Sequence, residues 1–402
     1  MGCNRSVDAL RIRGTRVTST DAFRVGANLL WLRPGEVGGT ETYARRVLRA
    51  LASSGAQLGD SREAKGPVEL HLFGSGVGID AVRPTGGSVE DHVAAPDVIA
   101  PPRRVFVERT WLPGAIRSAQ LDVIHHLGGT VPVSSKEAAI VTIHDLQPLE
   151  FSDNFSKTKV HYLSRAIPQA IERARIVTTP SNWVRERVID RFDLSPDTVL
   201  TVSVFAEPVD LAEAAQPSVS VQRLLSMGPM LLYPAMTLGH KNHFLLFDAF
   251  SKALERDPEL QLICVGPAGR DDEAIRARAS ELSPQIKMLG HVSKADLDAL
   301  YRSADALVFP STYEGFGLPV LEAQHYGLPV ICSNTTALPE VAGVGAVMVD
   351  PSNVSDWVDA IVDRPTTSAL EQLVSAGLKN AQRYNLESTA EQQWHAYRLA
   401  TA

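Results

Sequence analysis

Cysteine is scarce: Cys3, Cys264 and Cys332 are the only thiols in 402 residues. Three scattered cysteines exclude a disulfide framework and a cysteine-based zinc site. Cys264 and Cys332 fall in apolar, strand-like runs and read as small core residues of a protein kept in a reducing compartment. Long hydrophobic runs are missing too. No stretch approaches the roughly 18 to 20 apolar residues of a membrane span, and the first thirty residues lack a charged, apolar, small-residue secretion signal. The expected place is therefore the cytoplasm. There is no concentrated basic stripe interleaved with aromatics, so nucleic-acid binding has no support. No repeat of solenoid period is evident either.

Apolar residues, at 44%, suffice for well-filled cores, and the length suits two domains of moderate size. Charge is divided unevenly between the halves. Residues 1–200 hold 25 Lys and Arg against 22 Asp and Glu, whereas the remainder holds 14 against 24. The halves are thus expected to face different partners. Strand-length apolar runs recur at Val25 to Leu32, Val68 to Phe73, Leu121 to Leu127, Ala138 to Ile143, Ile176 to Thr179 and Val199 to Val204. They continue at Met230 to Tyr233, Leu260 to Val265, Ile286 to Leu289, Ala306 to Phe309, Pro329 to Ser333 and Ala346 to Val349. Helical patterns separate many of them, including Asn242 to Arg256, Asp272 to Leu282, Lys294 to Ser303 and Leu318 to Tyr326. Apolar strands alternating with helices predict parallel sheets covered on both faces. The small, polar stretch from Ala206 to Ser220 reads as a hinge between two doubly wound domains with a cleft between them.

The most informative string runs from Pro310 through Ser311, Thr312, Tyr313, Glu314, Gly315, Phe316, Gly317, Leu318 and Pro319 to Glu322 and Ala323. It follows a buried strand and opens a helix, because Pro319 suits a first helical turn. Amides of Gly315, Phe316, Gly317 and Leu318 would then lie at a helix N-terminus, which favours a diphosphate. A carboxylate at Glu322 suits neighbouring ribose hydroxyls, since charged acceptors make strong hydrogen bonds. Glu314 is left for the sugar. Taken singly, each glutamate is better explained as ordinary loop or early-helix chemistry.

As a whole, with seven residues between the glutamates, the string resembles the retaining glycosyltransferases of family 4, which have the GT-B fold. The resemblance implies an α/β protein of two doubly wound, Rossmann-like parallel-sheet domains facing a central cleft. An extension would occupy residues 1–22, the acceptor-side domain 23–208 and the nucleotide-sugar domain 209–384. A helix at 385–402 would cross back to the first domain.

Further residues take roles from the same resemblance. His144, directly after the run ending at Ile143, would contact the donor sugar near the reacting carbon. Lys241, in Gly239-His240-Lys241-Asn242, would grip the donor diphosphate. Gly38 and Gly39 would form a phosphate-facing or acceptor-facing loop, and Val292 a backbone contact to the nucleobase. The arginine usually found five or six residues before Lys241 is replaced by Ala235 or Met236, so one of two positive charges is absent unless His240 or another residue supplies it. Phe73-Gly74-Ser75-Gly76-Val77-Gly78 lacks full dinucleotide-site spacing and reads as a surface loop.

The resemblance implies transfer of a hexose or deoxyhexose from a nucleoside-diphosphate sugar to a glycan or lipid-linked acceptor, mannose or rhamnose favoured because His240-Lys241-Asn242 looks like that subgroup's lysine loop. No cofactor and no metal are expected: the one Asp-x-Asp pair, Asp296 and Asp298, falls inside a predicted helix. Cations and large apolar groups from Pro102 to Pro113 suit a lipid-linked acceptor or peripheral contact with the inner membrane face. The alternatives are a non-catalytic GT-B subunit that binds a nucleotide or a partner, and a sugar-nucleotide epimerase or hydrolase. Met1-Gly2-Cys3-Asn4-Arg5-Ser6 fits an acylation pattern short enough to arise by accident.

Overall fold

A computed structural model describes residues 22–36, 38–54, 67–94, 101–132, 137–152, 155–207, 216–363 and 367–402. The extension before the first strand, the acylation pattern and much of the hinge lie outside them. The first lobe contains β1 (Phe23–Asn28), α1 (Gly39–Ser54), β2 (Val68–Gly74), α2 (Gly76–Val82), β3 (Ser88–Val93), α3 (Pro101–Thr110) and α4 (Leu112–Ala119). It continues through β4 (Val123–His126), β5 (Ala138–Thr142), α5 (Gln147–Glu150), α6 (Lys157–Arg173), β6 (Ile176–Thr179), α7 (Asn182–Phe192) and β7 (Val199–Thr201). The second lobe has α8 (Val219–Leu225), β8 (Met230–Pro234), α9 (His243–Ala253), β9 (Gln261–Val265), α10 (Asp272–Leu282), β10 (Ile286–Gly290) and α11 (Lys294–Ser303). Then follow β11 (Ala306–Phe309), α12 (Leu318–His325), β12 (Val330–Ser333), α13 (Leu338–Ala342), β13 (Val347–Val349), α14 (Val354–Val362), α15 (Thr367–Ala381) and α16 (Leu386–Thr401).

Two sheets result, ordered β3-β2-β1-β4-β5-β6-β7 and β10-β9-β8-β11-β12-β13, and every strand pair is parallel. The structure is a GT-B fold of two doubly wound lobes. Residues of β4, β5, β6, β9, β11 and β12 are buried throughout, as sheets covered on both faces require. Strand order reverses between β1 and β4 in one sheet and between β8 and β11 in the other, and crevices for ligands open at such reversals.

Two sequence expectations need correction. β3, Ser-Val-Glu-Asp-His-Val, escapes an apolar-run search because it is an edge strand with exposed side chains. The Gly74 to Gly78 stretch is not a surface loop: Ser75 caps α2 by accepting from the Gly78 amide at 3.1 Å, and Gly78 is buried. Lys241 stands just before α9, as the helical pattern starting at Asn242 implies. It ends a 3-10 turn, Gly239–Lys241, and Asn242, at φ 62°, separates that turn from the helix.

Helix α16 packs on the first lobe. Trp394 meets the ring of Phe23 edge-on at 4.8 Å, and Tyr397 contacts His125 Nδ1 at 3.0 Å. His125 Nε2 lies 2.8 Å from the Thr142 hydroxyl, which in turn is 2.8 Å from that of Thr178. A buried polar chain therefore joins α16 to β4, β5 and β6. Asn385 and Ser388 form a capping box at the start of this helix.

Candidate active site

The glycine-rich string after β11 is shaped by two close approaches. A Cβ on Gly315 would stand 2.2 Å from the carbonyl oxygen of His144, so only glycine lets the second lobe touch the first there. Gly317 has φ +101°, and a Cβ on it would also fall 2.5 Å from Leu338 Cδ2. Leu318 then begins α12 with Pro319 in its first turn. The Glu314 amide donates to the Thr336 hydroxyl at 3.1 Å, which holds the start of the loop.

Lys241 arrives from the neighbouring strand. After β8 the chain makes its 3-10 turn, and the Lys241 ammonium reaches Glu314 Oε1 at 2.5 Å, with both side chains largely buried. Three bonds fix the turn: the Thr312 amide donates to the His240 carbonyl, and Asn242 Nδ2 donates to the carbonyls of Pro310, after β11, and Pro351, after β13. The Tyr233 hydroxyl also donates to the Lys241 carbonyl. An ammonium has three protons, so pairing with Glu314 leaves donors for a further anion.

From the first lobe, His144 Nε2 lies 2.7 Å from the Leu127 carbonyl. A carbonyl only accepts, so Nε2 carries the proton and Nδ1 keeps a lone pair. Burial pulls the His144 pKa down to about 4 against the small opposing effect of that bond. At neutral pH the ring is an uncharged acceptor, steered by Tyr43, whose ring stands edge-on at 4.9 Å. Burial also raises the carboxyl of adjacent Asp145, partly offset by the Gln147 amide and reinforced by the charge of Glu314.

The Lys241–Glu314 pair and Gly315 thus lie against the backbone of His144, between the lobes. Phe316, Gly317 and Leu318 continue from Gly315. Gly38 approaches the second lobe as well, with Met236 Cε 4.0 Å from its Cβ direction, while Gly39 faces open space. Val292 lies outside this cluster, in the loop after edge strand β10, where it packs partly on the core. Ser293 caps α11 there by accepting from the Asp296 amide at 3.1 Å.

Glu322 is engaged in protein bonds: it accepts from Arg46 Nη2 at 2.7 Å and from the Tyr301 hydroxyl at 3.1 Å. The expected second cation is absent at Ala235 and Met236. His240 does not replace it, because burial, together with nearby Lys241, pulls its pKa down to about 4. Asp296 and Asp298 are spent within the fold, the first on the Ser218 amide and the second on Lys294 and Tyr326.

Sequence reasoning passed over Ser181 and Arg46. The Ser181 hydroxyl donates to the Gly315 carbonyl at 2.8 Å while also capping α7. It stands two residues after β6, so the rule that drew attention to His144, a polar side chain after an apolar strand, applies to it equally. Arg46 lies on α1 without any motif to mark it.

Two family models match in succession: Glycosyltransferase Family 4 over residues 37–204, and Glycosyl transferases group 1 over residues 220–364. The chain belongs to glycosyltransferase family 4. It is 29% identical over 286 residues to the O-antigen chain mannosyltransferase B of Escherichia coli, covering 69% of this chain and 74% of that one. With the D-inositol 3-phosphate glycosyltransferase of Corynebacterium aurimucosum it shares 25% identity over 90% of this chain and 91% of the other. Among solved structures, a glycosyltransferase from Rickettsia africae superimposes with a TM-score of 0.69 at 16% identity, over 94% of this chain and 99% of that one. The Anabaena HepE protein in complex with UDP and glucose gives 0.66 at 17% identity, over 93% and 98%. The two family models and the curated relatives make the chain a glycosyltransferase enzyme, with the cluster between its lobes as the candidate active site.

Proposed function

We propose that this transferase moves a mannosyl or rhamnosyl unit from a nucleoside-diphosphate sugar to a glycan or lipid-linked acceptor. The anomeric configuration is retained and no divalent ion is needed. The observation that carries the reading is the meeting of the Lys241–Glu314 pair and Gly315 of one lobe with the His144 backbone of the other. The names of two curated relatives, O-antigen chain mannosyltransferases of Escherichia coli and Salmonella typhimurium, favour mannose as the transferred sugar.

Glycosyl transfer builds positive charge at the anomeric carbon and negative charge on the departing diphosphate. A helix terminus contributes only about 0.3 to 2 kcal/mol to holding that anion. A well-aimed donor to developing charge contributes roughly 2.7 to 4 kcal/mol. Lys241 therefore bears most of the leaving-group load, and the amides of Gly315 to Leu318 position it. Glu322 accepts from the ribose with its remaining lone pairs, Glu314 orients both Lys241 and the sugar, and Val292 lies beside the base. His144 Nδ1 accepts from a sugar hydroxyl. The departing diphosphate, on the same face as the acceptor hydroxyl, assists its deprotonation.

The acceptor lies toward the first lobe. On α3, Phe106 is 66% exposed and Arg103 and Arg109 face solvent, which suits an anionic lipid surface. Among the described residues no helix is long and apolar enough to cross a membrane.

Incubation with a panel of nucleotide sugars, scored for nucleoside diphosphate release with and without acceptor and chelator, tests the assignment. GDP-mannose or a rhamnosyl nucleotide should give acceptor-dependent release that chelator leaves unchanged. Release from another donor alone, or a strict metal requirement, would replace this reading.

A further inference from the structure

The trio His71, Glu90 and His92 lies outside the candidate active site, on strands β2 and β3 at one edge of the first sheet. The register pairs His71 with Glu90 and Phe73 with His92, which places all four side chains on one face. His71 Nδ1 and His92 Nε2 point at each other across 3.0 Å. The Glu90 carboxylate spans both, Oε2 lying 3.6 Å from His71 Nδ1 and Oε1 lying 3.7 Å from His92 Nε2.

Those separations are what a metal ion would require. Nitrogen and oxygen ligands stand about 2.0 to 2.2 Å from zinc, which sets neighbouring ligands of a tetrahedral site about 3.3 Å apart. The rings are already oriented. His92 stacks on Phe73 at 4.4 Å and 10°, and His71 is almost wholly buried. The far side of His71 carries an independent sign: Nε2 is buried without a hydrogen-bond partner, and the nearest carboxylate, Glu69 Oε2, is 3.9 Å away. Glu69 is itself held by Arg24 Nε at 3.2 Å. A metal on Nδ1 fixes the proton on Nε2 and directs it at a carboxylate, the outer arrangement metal-binding histidines adopt. A plain bond between the two imidazoles explains neither the bridging Glu90 nor the orphaned Nε2.

We propose that His71, Glu90 and His92 form a binding site for one first-row divalent transition-metal ion of the zinc class, with a remaining position open to solvent beside exposed Glu90. Two imidazoles and one carboxylate are a donor set suited to such an ion, and not to magnesium or calcium. The ion ties edge strand β3 to β2, where main-chain bonding reaches β3 from one side only. Its role is separate from sugar transfer, and the proposal does not rest on the donor assignment.

The experiment uses the full chain, stripped with chelator and titrated with Zn2+ by calorimetry, and with Co2+ by visible absorption. One saturable equivalent and the absorption bands of low-coordinate cobalt are expected. His92→Ala and Glu90→Gln, both at the sheet edge, should weaken Zn2+ binding at least tenfold while far-ultraviolet dichroism stays unchanged. Glu69→Gln should weaken it by roughly 10 to 100-fold through the outer bond. Absence of a saturable equivalent in the unsubstituted chain, or equal affinity in His92→Ala and Glu90→Gln, would overturn the site.

Discussion

At the scale of single residues, the pairing of Lys241 with Glu314 makes a sharper test than either residue alone. Lys241→Ala should lower turnover on the order of a hundredfold or more, as loss of one donor to developing charge does. Glu314→Gln should also lower turnover, because it removes the partner that aims the ammonium. The double variant should lose little more than Lys241→Ala, since contacting residues couple. Strict multiplication of the two losses, measured by initial rates, would show that they act separately. Glu322 gives a second test. Arg46→Ala releases one of its two partners and should change nucleotide affinity more than turnover, whereas Glu322→Gln should weaken nucleotide binding outright. Titration with the nucleoside diphosphate alone reads both.

The sequence made some of these residues legible and concealed others for a physical reason. Lys241, Glu314, Gly315 and His144 follow apolar strands at short spacing, so local pattern marks them. Arg46 comes from a helix surface 276 residues away from Glu322, and no local pattern reports a contact of that separation. The neutrality of His240 was equally hidden. It depends on burial between segments that only the fold brings together.

At the scale of elements, the loop between β11 and α12 works because it is thin. Gly315→Ala would drive a Cβ against the His144 carbonyl, and backbone on both sides cannot yield as a flexible side chain would. Turnover should fall at least tenfold, while circular dichroism and the cores of the separate lobes stay intact. Unchanged turnover would mean that this approach is not needed for transfer. The Glu340 carboxylate complements the contact by accepting from the amides of Asn182 and Trp183 at 2.8 and 2.9 Å, so that α13 of one lobe caps α7 of the other. The elements themselves were largely readable. Buried parallel strands announce themselves as unbroken apolar runs, while β3 carries two acids and a histidine because its outer side meets water. The start of α9 was readable to within one residue: Asn242, in the left-handed region, ends the 3-10 turn, and the helix begins at His243.

For the whole molecule, buried histidines set the response to acid. Burial lowers the pKa of His125 and His126 to about 3, and of His144 and His243 to about 4. The unfolded chain takes up protons near pH 6.5, so the folded state binds fewer protons between that value and the lowered ones. Stability is therefore full above about pH 6.5 and is lost as pH falls toward 4 and below. The raised carboxyls of Glu108 and Asp145 act in the opposite sense, but these four histidines outnumber them. Melting temperatures measured from pH 7.5 to pH 4 should decline steadily below pH 6.5. His243→Phe should flatten part of the slope, since neither ring nitrogen of His243 has a partner to lose. A flat profile across this window would contradict the lowered values.

The seat of α16 on the first lobe has a consequence for how the protein is made. Phe23 opens the first strand, yet its ring is covered by Trp394, and Ala396, Tyr397 and Ala400 belong to the same buried cluster. A ribosome delivers these partners hundreds of residues apart. The early lobe must wait with an uncovered apolar seam until the region around residue 400 emerges, which is the period when nascent chains aggregate. Stalled nascent chains ending near residue 380 should be cut readily by protease within the first lobe, and chains extended past residue 400 should resist.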